Sequence, residues 1–420
     1  MKTVKEAQDI ILKNVSALGT EKVRITGALG RILAEKVFAN RDHPPFDSSA
    51  MDGYAVRFED VKGATRGNPA ALEIIDDIKA GGEPKRSVEK GVASRIMTGA
   101  PVPKGADTVV RVEDTDSSKD KVKVLVPPRK GSNIRPMGEN LKAGDLLLDE
   151  GDELGPAHIG TLAMVKKKEV MVYRRPRVAV LSTGDELEGI DEPLDPKKIP
   201  DANSYTVMAE LESLGAEPVL LGIARDTREA LEEKLREGLK YDALVISGGV
   251  AVGQYDFVRP VLKDLKIDIR FWRVALRPGH PFAFGTGEKN VIFALPGNPV
   301  STMVCCEEFI VPAVRKMMGA KRLFRRTIKA GLKEKVKDKK GRTHFMRALL
   351  EGSPSGYSAR LPGEQGSGIL MSMVKADGLL IVPQESEELK ENAVVTVQVG
   401  FGFPFQEEPN LPEEKSVEDE

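Results

Sequence analysis

Val178-Ala179-Val180-Leu181-Ser182-Thr183-Gly184-Asp185-Glu186 decides the fold: an apolar run stops at a hydroxyl–glycine turn, and two acids follow at once. An apolar run closed by a glycine-bearing turn returns twice. Ala243 to Ile246 leads into Ser247-Gly248-Gly249-Val250, and Val291 to Leu295 leads into Pro296-Gly297-Asn298-Pro299-Val300-Ser301. Short, continuous apolar runs bounded by turn residues read as strands buried on both faces. Between them, Val207, Met208, Leu211 and Leu214 recur at helical intervals, as do Leu231, Leu235 and Leu239, with a further strand at Val219 to Ile223. This is the βαβ rhythm of a parallel sheet with helices on both faces. In such a sheet the strand ends converge on one crevice, the usual ligand site. Glycine lets backbone approach a ligand, and free N–H groups at a following helix start suit phosphate. Three such turns point to a nucleotide or phosphoester site.

The flanks read differently. Thr3 and Glu6 have capping-box spacing, and Val4, Ala7, Ile11 and Val15 carry a first helix to about Leu18. A second amphipathic segment lies around Gly27 to Ala34. From Tyr54 to about Pro128, short β-type runs (Leu72 to Ile75, Val109 to Val112, Val122 to Val126) alternate with Gly- and Pro-rich turns, the signature of a separate β-rich domain. Leu146 to Leu148 and Ala157 to Val165 bridge to a boundary at Arg174-Arg175-Pro176. Beyond the third turn, Asn298 reads as a helix cap and Pro299 as the first helical residue of a segment ending near Gly319. From about Lys321 strands return (Thr343 to Leu350, Leu379 to Val382, Val394 to Val399), as in a small barrel or sandwich. Glu407 to Glu420 is acidic and Pro-containing, the composition of a disordered tail.

The chain has 420 residues, room for two to four domains, and a formal net charge of -1 with 30% charged residues. That balance gives no reason to expect nucleic acid or an anionic membrane as partner. No apolar run approaches the roughly 18 residues of a membrane span. The 2 Cys are neighbours, Cys305 and Cys306, which on a helix point apart, so neither a disulfide nor a metal site is expected there. Low cysteine use and the lack of a charged-then-apolar leader fit a cytoplasmic protein.

Asp185 and Glu186 beside a phosphate turn are electrostatically awkward unless a divalent cation lies between. Mg²⁺ commonly bridges one or two carboxylates and phosphate oxygens. Asp256, just past the second turn, could supply another ligand. The bland alternative is that Asp185 and Glu186 cap or start a helix. Arg277-Pro278-Gly279-His280-Pro281 offers a cationic turn for a small oxyanion, or an ordinary surface hairpin. Two further small-residue turns, Asp42 to Val56 around Asp52 and Ile96 to Asp107 around Thr98, read as approach surfaces or as structural turns. Neither of these two segments resembles a Ser-His-Asp arrangement or a Walker P-loop, there is no G-x-G-x-x-G after a strand, and none of the 4 His forms a metal-spaced pair with His or Cys.

In combination these segments resemble the MoeA family, the molybdopterin molybdenumtransferases, whose eukaryotic relatives include the C-terminal part of gephyrin. Ser49-Ala50-Met51-Asp52-Gly53-Tyr54-Ala55, Met97-Thr98-Gly99-Ala100-Pro101 and the three α/β turns occur in the family order, and the likeness runs from about residue 3 to 402. It implies a multidomain α/β plus β architecture: a discontinuous helical linker domain (1–53 with 136–175), a β-rich insertion (54–135), a MogA-like parallel α/β molybdopterin-binding domain (176–320), a small C-terminal β-barrel (321–402) and a disordered tail (403–420). It implies the reaction too, in which adenylylated molybdopterin and molybdate or tungstate give the metal cofactor with release of AMP.

Carried over residue by residue, the resemblance makes Asp52, Thr98, Asp185, Glu186 and Asp256 catalytic, with Mg²⁺ on Glu186 and Asp256. Ser182, Thr183, Gly184, Ser247, Gly248, Gly249, Pro296, Gly297, Asn298 and Ser301 would hold the pterin phosphate and nucleotide. Arg277, His280, Pro281, Arg342 or Arg347, and Ser367 would hold the oxyanion. Asp52 and Thr98 would reach a composite site from the partner in a homodimer, and a molybdopterin adenylyltransferase is a candidate heteromeric partner. The departures are Arg277 and His280 for Lys, Asn140 for a common Asp, Ala251 for Ser and His344 for Glu. Alternatives are a molybdopterin adenylyltransferase, or a gephyrin-like non-enzymatic scaffold.

Overall fold

The computed structural model describes residues 1–250, 257–354 and 356–400; Ala251, Asp256 and the expected tail lie outside them. The central sheet has the order Glu217–Ala224, Arg177–Thr183, Ala243–Ser247, Val291–Leu295, Ala283–Thr286, Asp268–Phe271. Its first four strands are parallel. The last two are antiparallel, where the sequence rhythm had suggested a parallel sheet throughout. The cause is local. Only the turn Gly287-Glu288-Lys289-Asn290 joins the last parallel strand to its neighbour, too short for the crossover that parallel pairing needs.

Alternation along the buried strands feeds two cores. Val178, Val180, Val245 and Phe293 pack with Val207, Leu211, Val304 and Phe309 on one face. Ala179, Leu181, Leu244 and Ile246 pack with Leu231, Leu235 and Val261 on the other. Phe282 and Phe309 stack with ring centroids 4.4 Å apart, and burying such a side chain contributes roughly 1.5–3 kcal/mol.

The helical run after Asn298 spans Pro299–Cys305 and Val311–Met317, with a π-helical stretch over Cys306–Ile310 between them. Pro312 has no N–H to give the Glu308 carbonyl four residues earlier. Gln8, on the first helix, supplies the missing donor: its Nε2 lies 3.2 Å from that carbonyl and 3.2 Å from Glu308 Oε2. Burial pushes the Glu308 carboxyl up to about 8, so it is largely neutral near pH 7. Beside it, Arg325 binds Glu307 at 3.0 Å and also Glu210, tying the C-terminal domain to two helices of the α/β domain.

The first helix, Val4–Lys13, has the Thr3–Glu6 capping box. Gly27 to Ala34 forms no helix: a 3₁₀ turn at Ile25–Gly27 leads to isolated bridges at Ile32 and Leu33, whose side chains fill separate cores. Segments on either side of the β-rich unit are stitched by three antiparallel pairings: Thr20–Arg24 with Glu169–Tyr173, Val37–Phe38 with Leu146–Leu148, and Ser48–Ser49 with Ile134–Arg135. Between them sits a six-stranded sheet that includes Gly53–Val56 and Val92–Ile96, strands too polar or too small to stand out in sequence. The C-terminal strands close into a barrel through Thr343–Ser353 and Gly378–Val382. Its edge continues into the α/β domain: Leu276 pairs with Thr343, and Arg277 with His344. No described helix is long and apolar enough to cross a membrane.

Candidate functional site

The three turns lie at adjacent parallel strand ends, cross-linked by the first turn of helix Ala202–Ser213. Asp201 caps that helix by accepting from Ser204 N at 3.1 Å, an interaction worth about 1 kcal/mol. Its Oδ1 also accepts from Ser182 Oγ at 2.9 Å, which fixes the first turn. Asn203 Nδ2 donates to Ser247 Oγ at 2.9 Å and to the Gly297 carbonyl at 2.7 Å, which fixes the second and third. Ser182 is therefore satisfied behind the wall at 1% exposure, and it does not line the crevice.

Thr183, Glu186, Asn203, Ser247, Gly248 and Gly297 are among the residues enclosing a crevice of about 410 Å³. Gly248 has φ +90, and a Cβ there would lie 2.6 Å from the Thr183 carbonyl. Only glycine fits. Thr183 Oγ1 is buried with no hydrogen-bond partner among the described residues, a polar atom left over at the glycine turn.

No helix follows the first turn directly. Asp185 and Glu186 lead into Leu187–Glu188, which pairs with Ile199–Pro200, so they neither cap nor start a helix. Asp226 N donates to Asp185 Oδ1 at 3.2 Å and Asp185 N to Asp226 Oδ2 at 3.4 Å. Burial raises the Asp226 carboxyl, and the charges of Asp185 and Glu186 raise it further. A cation would relieve that repulsion. Among the described residues no three such side chains form a ready-made metal cage. Mg²⁺ commonly takes one or two carboxylates and completes its shell with water and phosphate. Asp226 and Asn203 escaped the sequence reading. The available signal was that Asp226 follows a fourth parallel strand end, Glu217–Ala224.

A second pocket, about 370 Å³, adjoins the first and shares Pro281, Pro296 and Asn298 with it. Arg277, His280 and Ser301 enter from the α/β domain, Arg342, His344 and Ser367 from the C-terminal domain. Ser301 thus faces this pocket rather than the crevice. Asn298 stands at the helix N-cap without capping; its Nδ2 reaches Ser367 Oγ at 3.2 Å, and Val300 N donates to the Ser367 carbonyl at 3.1 Å. Both bonds lock the domains together at the pocket.

Arg277 pairs with Asp338 at 2.5 Å, whereas Arg342 has no ion pair among the described residues. Burial, then Arg342 and Arg273, hold the His280 imidazole below its usual range. Arg347 is fully buried and does not line the pocket; it donates to Ser372 Oγ at 3.1 Å and the Gly366 carbonyl at 3.3 Å, with Nη1 unpaired among the described residues. Burial brings its guanidinium down to about 10.

Asp52 and Thr98 line neither pocket. Asp52 Oδ1 accepts from Thr98 N at 2.7 Å and from Thr98 Oγ1 at 2.8 Å, which holds its carboxyl below the ordinary value. Both are exposed. A roomier cleft of about 610 Å³, lined by Lys2, Arg259, Trp272 and Arg273 among others, lies elsewhere and lacks the glycine turns. Volume alone would favour it; chemistry favours the joined pockets.

Three family descriptions match the chain: "MoeA N-terminal region (domain I and II)" over residues 2–165, "Probable molybdopterin binding domain" over 179–316 and "MoeA C-terminal region (domain IV)" over 329–399. The molybdopterin molybdenumtransferase of Nostoc sp. is 37% identical over 395 residues, covering 91% of this chain and 90% of that one. The protein of the same name from Staphylococcus epidermidis is 33% identical over 407 residues, 97% of each. A crystal structure of the molybdopterin biosynthesis MoeA protein from Pyrococcus horikoshii superposes with TM-score 0.83 at 32% identity, covering 95% of this chain and 100% of that one.

Proposed function

Since this chain belongs to the MoeA family, the molybdopterin molybdenumtransferases of molybdenum cofactor biosynthesis, we propose that its joined pockets are one active site, with adenylylated molybdopterin in the crevice and molybdate or tungstate beside it. The observation that carries this is the shared wall of Pro281, Pro296 and Asn298. It sets a glycine-lined crevice suited to phosphate and nucleotide against a cationic pocket suited to an oxyanion. The adenylyltransferase and scaffold alternatives are not favoured, because the relatives of that one name are matched along nearly their whole length.

Glu186 would hold Mg²⁺, with Asp185 and Asp226 near enough to complete its water shell and Asp256 a further candidate outside the described residues. Bound there, the ion would neutralise the nucleotide phosphates and polarise the bond that releases AMP. Thr183 and the Gly248–Gly249 backbone would meet the phosphate, while Ser247 and Asn203 keep the turns in register. Arg342, Arg277, His280 and Ser367 would orient the oxyanion. Asp52 and Thr98 would come from the partner subunit of a homodimer. Their exposure, and the fact that neither lines either pocket, support that reading. The setting would be the cytoplasm, and a molybdopterin adenylyltransferase would be the natural donor of the substrate.

Purified full-length protein given adenylylated molybdopterin, Mg²⁺ and either oxyanion should release AMP, and Asp256→Ala should slow that release sharply. If neither oxyanion supports release, the substrate assignment fails. Mixing Asp52→Ala with Gly248→Ala protein should restore roughly a quarter of wild-type activity if two subunits share each site. No recovery would place every essential residue in one chain.

A further inference from the structure

Arg277 and His344 are direct register partners where the α/β domain joins the barrel. Between them lies Asp338, with its side chain 2% exposed. Its Oδ1 accepts from Arg277 Nη1 at 2.5 Å, and its Oδ2 lies 3.0 Å from His344 Nδ1. A carboxylate ion-paired to arginine has no proton to give, so the proton in the second contact sits on Nδ1. That leaves His344 Nε2 with a lone pair. His344 lines the cationic pocket, and among the described residues its Nε2 makes no hydrogen bond.

We propose that His344 carries protons during metal insertion, taking them at Nε2 from the incoming dithiol and passing them to an oxo group that leaves as water, with Asp338 as its positioning residue. The inference rests on the pocket being the oxyanion site. The step balances as MoO₄²⁻ + R(SH)₂ → [MoO₃(S₂R)]²⁻ + H₂O. Two Mo–S bonds form and one Mo–O bond breaks; both thiol protons depart in the water, and the metal stays hexavalent. An oxo ligand is a poor leaving group and water a good one, so each transfer needs a carrier that accepts and returns a proton within the pocket.

The surroundings suit a carrier that works only with substrate in place. Burial brings the free imidazole down to about 4, Asp338 opposes that fall, and Arg277 and Arg347 add to it. Arg342 and His280 face it across the pocket. A bound dianion would offset those cations and let the ring take a proton transiently. In the free protein the ring stays neutral.

His344→Asn keeps a donor for Asp338 at the Nδ1 position but cannot carry a proton. It should lower kcat by about a hundredfold or more, leave the KM for molybdate within about threefold, and recover in part with added imidazole. Asp338→Asn removes a negative charge beside Arg277, so molybdate should bind at least as tightly while turnover falls. Wild-type kcat and pH profile in His344→Asn would overturn the proposal, as would a parallel loss of binding and turnover in Asp338→Asn. Equilibrium binding of molybdate to Arg342→Ala separates the two layers. Unweakened binding there would sink the pocket assignment itself, whereas weakened binding with a fully active His344→Asn would sink only the proton carrier.

Discussion

The crevice and the oxyanion pocket share a wall but are made of opposite materials. The crevice is largely backbone: three turns at the ends of one sheet, tied to a single helix by Asp201 and Asn203. The pocket is largely side chain, with charged groups from two domains meeting where Arg277 pairs with His344. A backbone site depends on one domain folding correctly. A side-chain site across a domain joint depends also on the joint, and its charge follows pH.

The crevice should therefore fail hardest to a single added carbon. Gly248→Ala puts a Cβ against the Thr183 carbonyl at a positive φ, and should weaken nucleotide binding about a hundredfold and cost ~2 kcal/mol of stability. Titration with AMP and a melting curve check both; unchanged AMP affinity would break the comparison. Arg342→Ala should weaken molybdate binding about tenfold to a hundredfold and leave AMP affinity alone, because Arg342 lines only the pocket. Equal losses of both ligands would mean the two pockets are not separate subsites.

The packing of the first helix on the α/β domain can be tested at Glu308, which accepts from Gln8. Its carboxyl is raised from 4.5 to about 8 in the folded chain. The neutral form is favoured on folding, so its contribution is complete at low pH and is lost as pH rises through about 8. Glu210, raised to about 7, acts with the same sign. Glu308→Gln should flatten the fall in melting temperature toward alkaline pH and be the more stable protein there, by on the order of 3 kcal/mol. An identical pH slope in the variant would remove Glu308 from the account.

The smallest effect belongs to His280. With its imidazole held below the usual range it is neutral at pH 7 and charges only in acid. Wild-type molybdate affinity should rise as pH falls, and His280→Lys should bind several-fold tighter (about 1 kcal/mol) near neutrality and lose that dependence. A flat wild-type profile would contradict this.

What sequence showed and hid follows the same division. Strand, hydroxyl and glycine are neighbours in the chain, so the three turns and the α/β rhythm were legible. Asp201 and Asn203 were hidden, because their partners Ser182, Ser247 and Gly297 are brought to them only by the sheet. Asn298 looked like a cap, yet the barrel offers Ser367 as a better partner. Arg347 and Arg342 were indistinguishable in sequence. Arg347 falls in the part of Thr343–Ser353 that is buried on both faces, held by Ser372 and Gly366, whereas Arg342 precedes that strand and lines the pocket. The π-helical stretch could have been suspected from Pro312, but its repair by Gln8 joins residues 300 positions apart.

The most direct measurement is a crystal structure of the full chain with AMP and tungstate, locating the metal by its anomalous scattering. Tungsten should appear between Arg342, His280 and Ser367, with the AMP phosphate against Gly248 and Gly297 across the Pro296 wall. Tungsten at the Lys2, Arg259 and Arg273 cleft, or AMP outside the glycine turns, would contradict a single joined site.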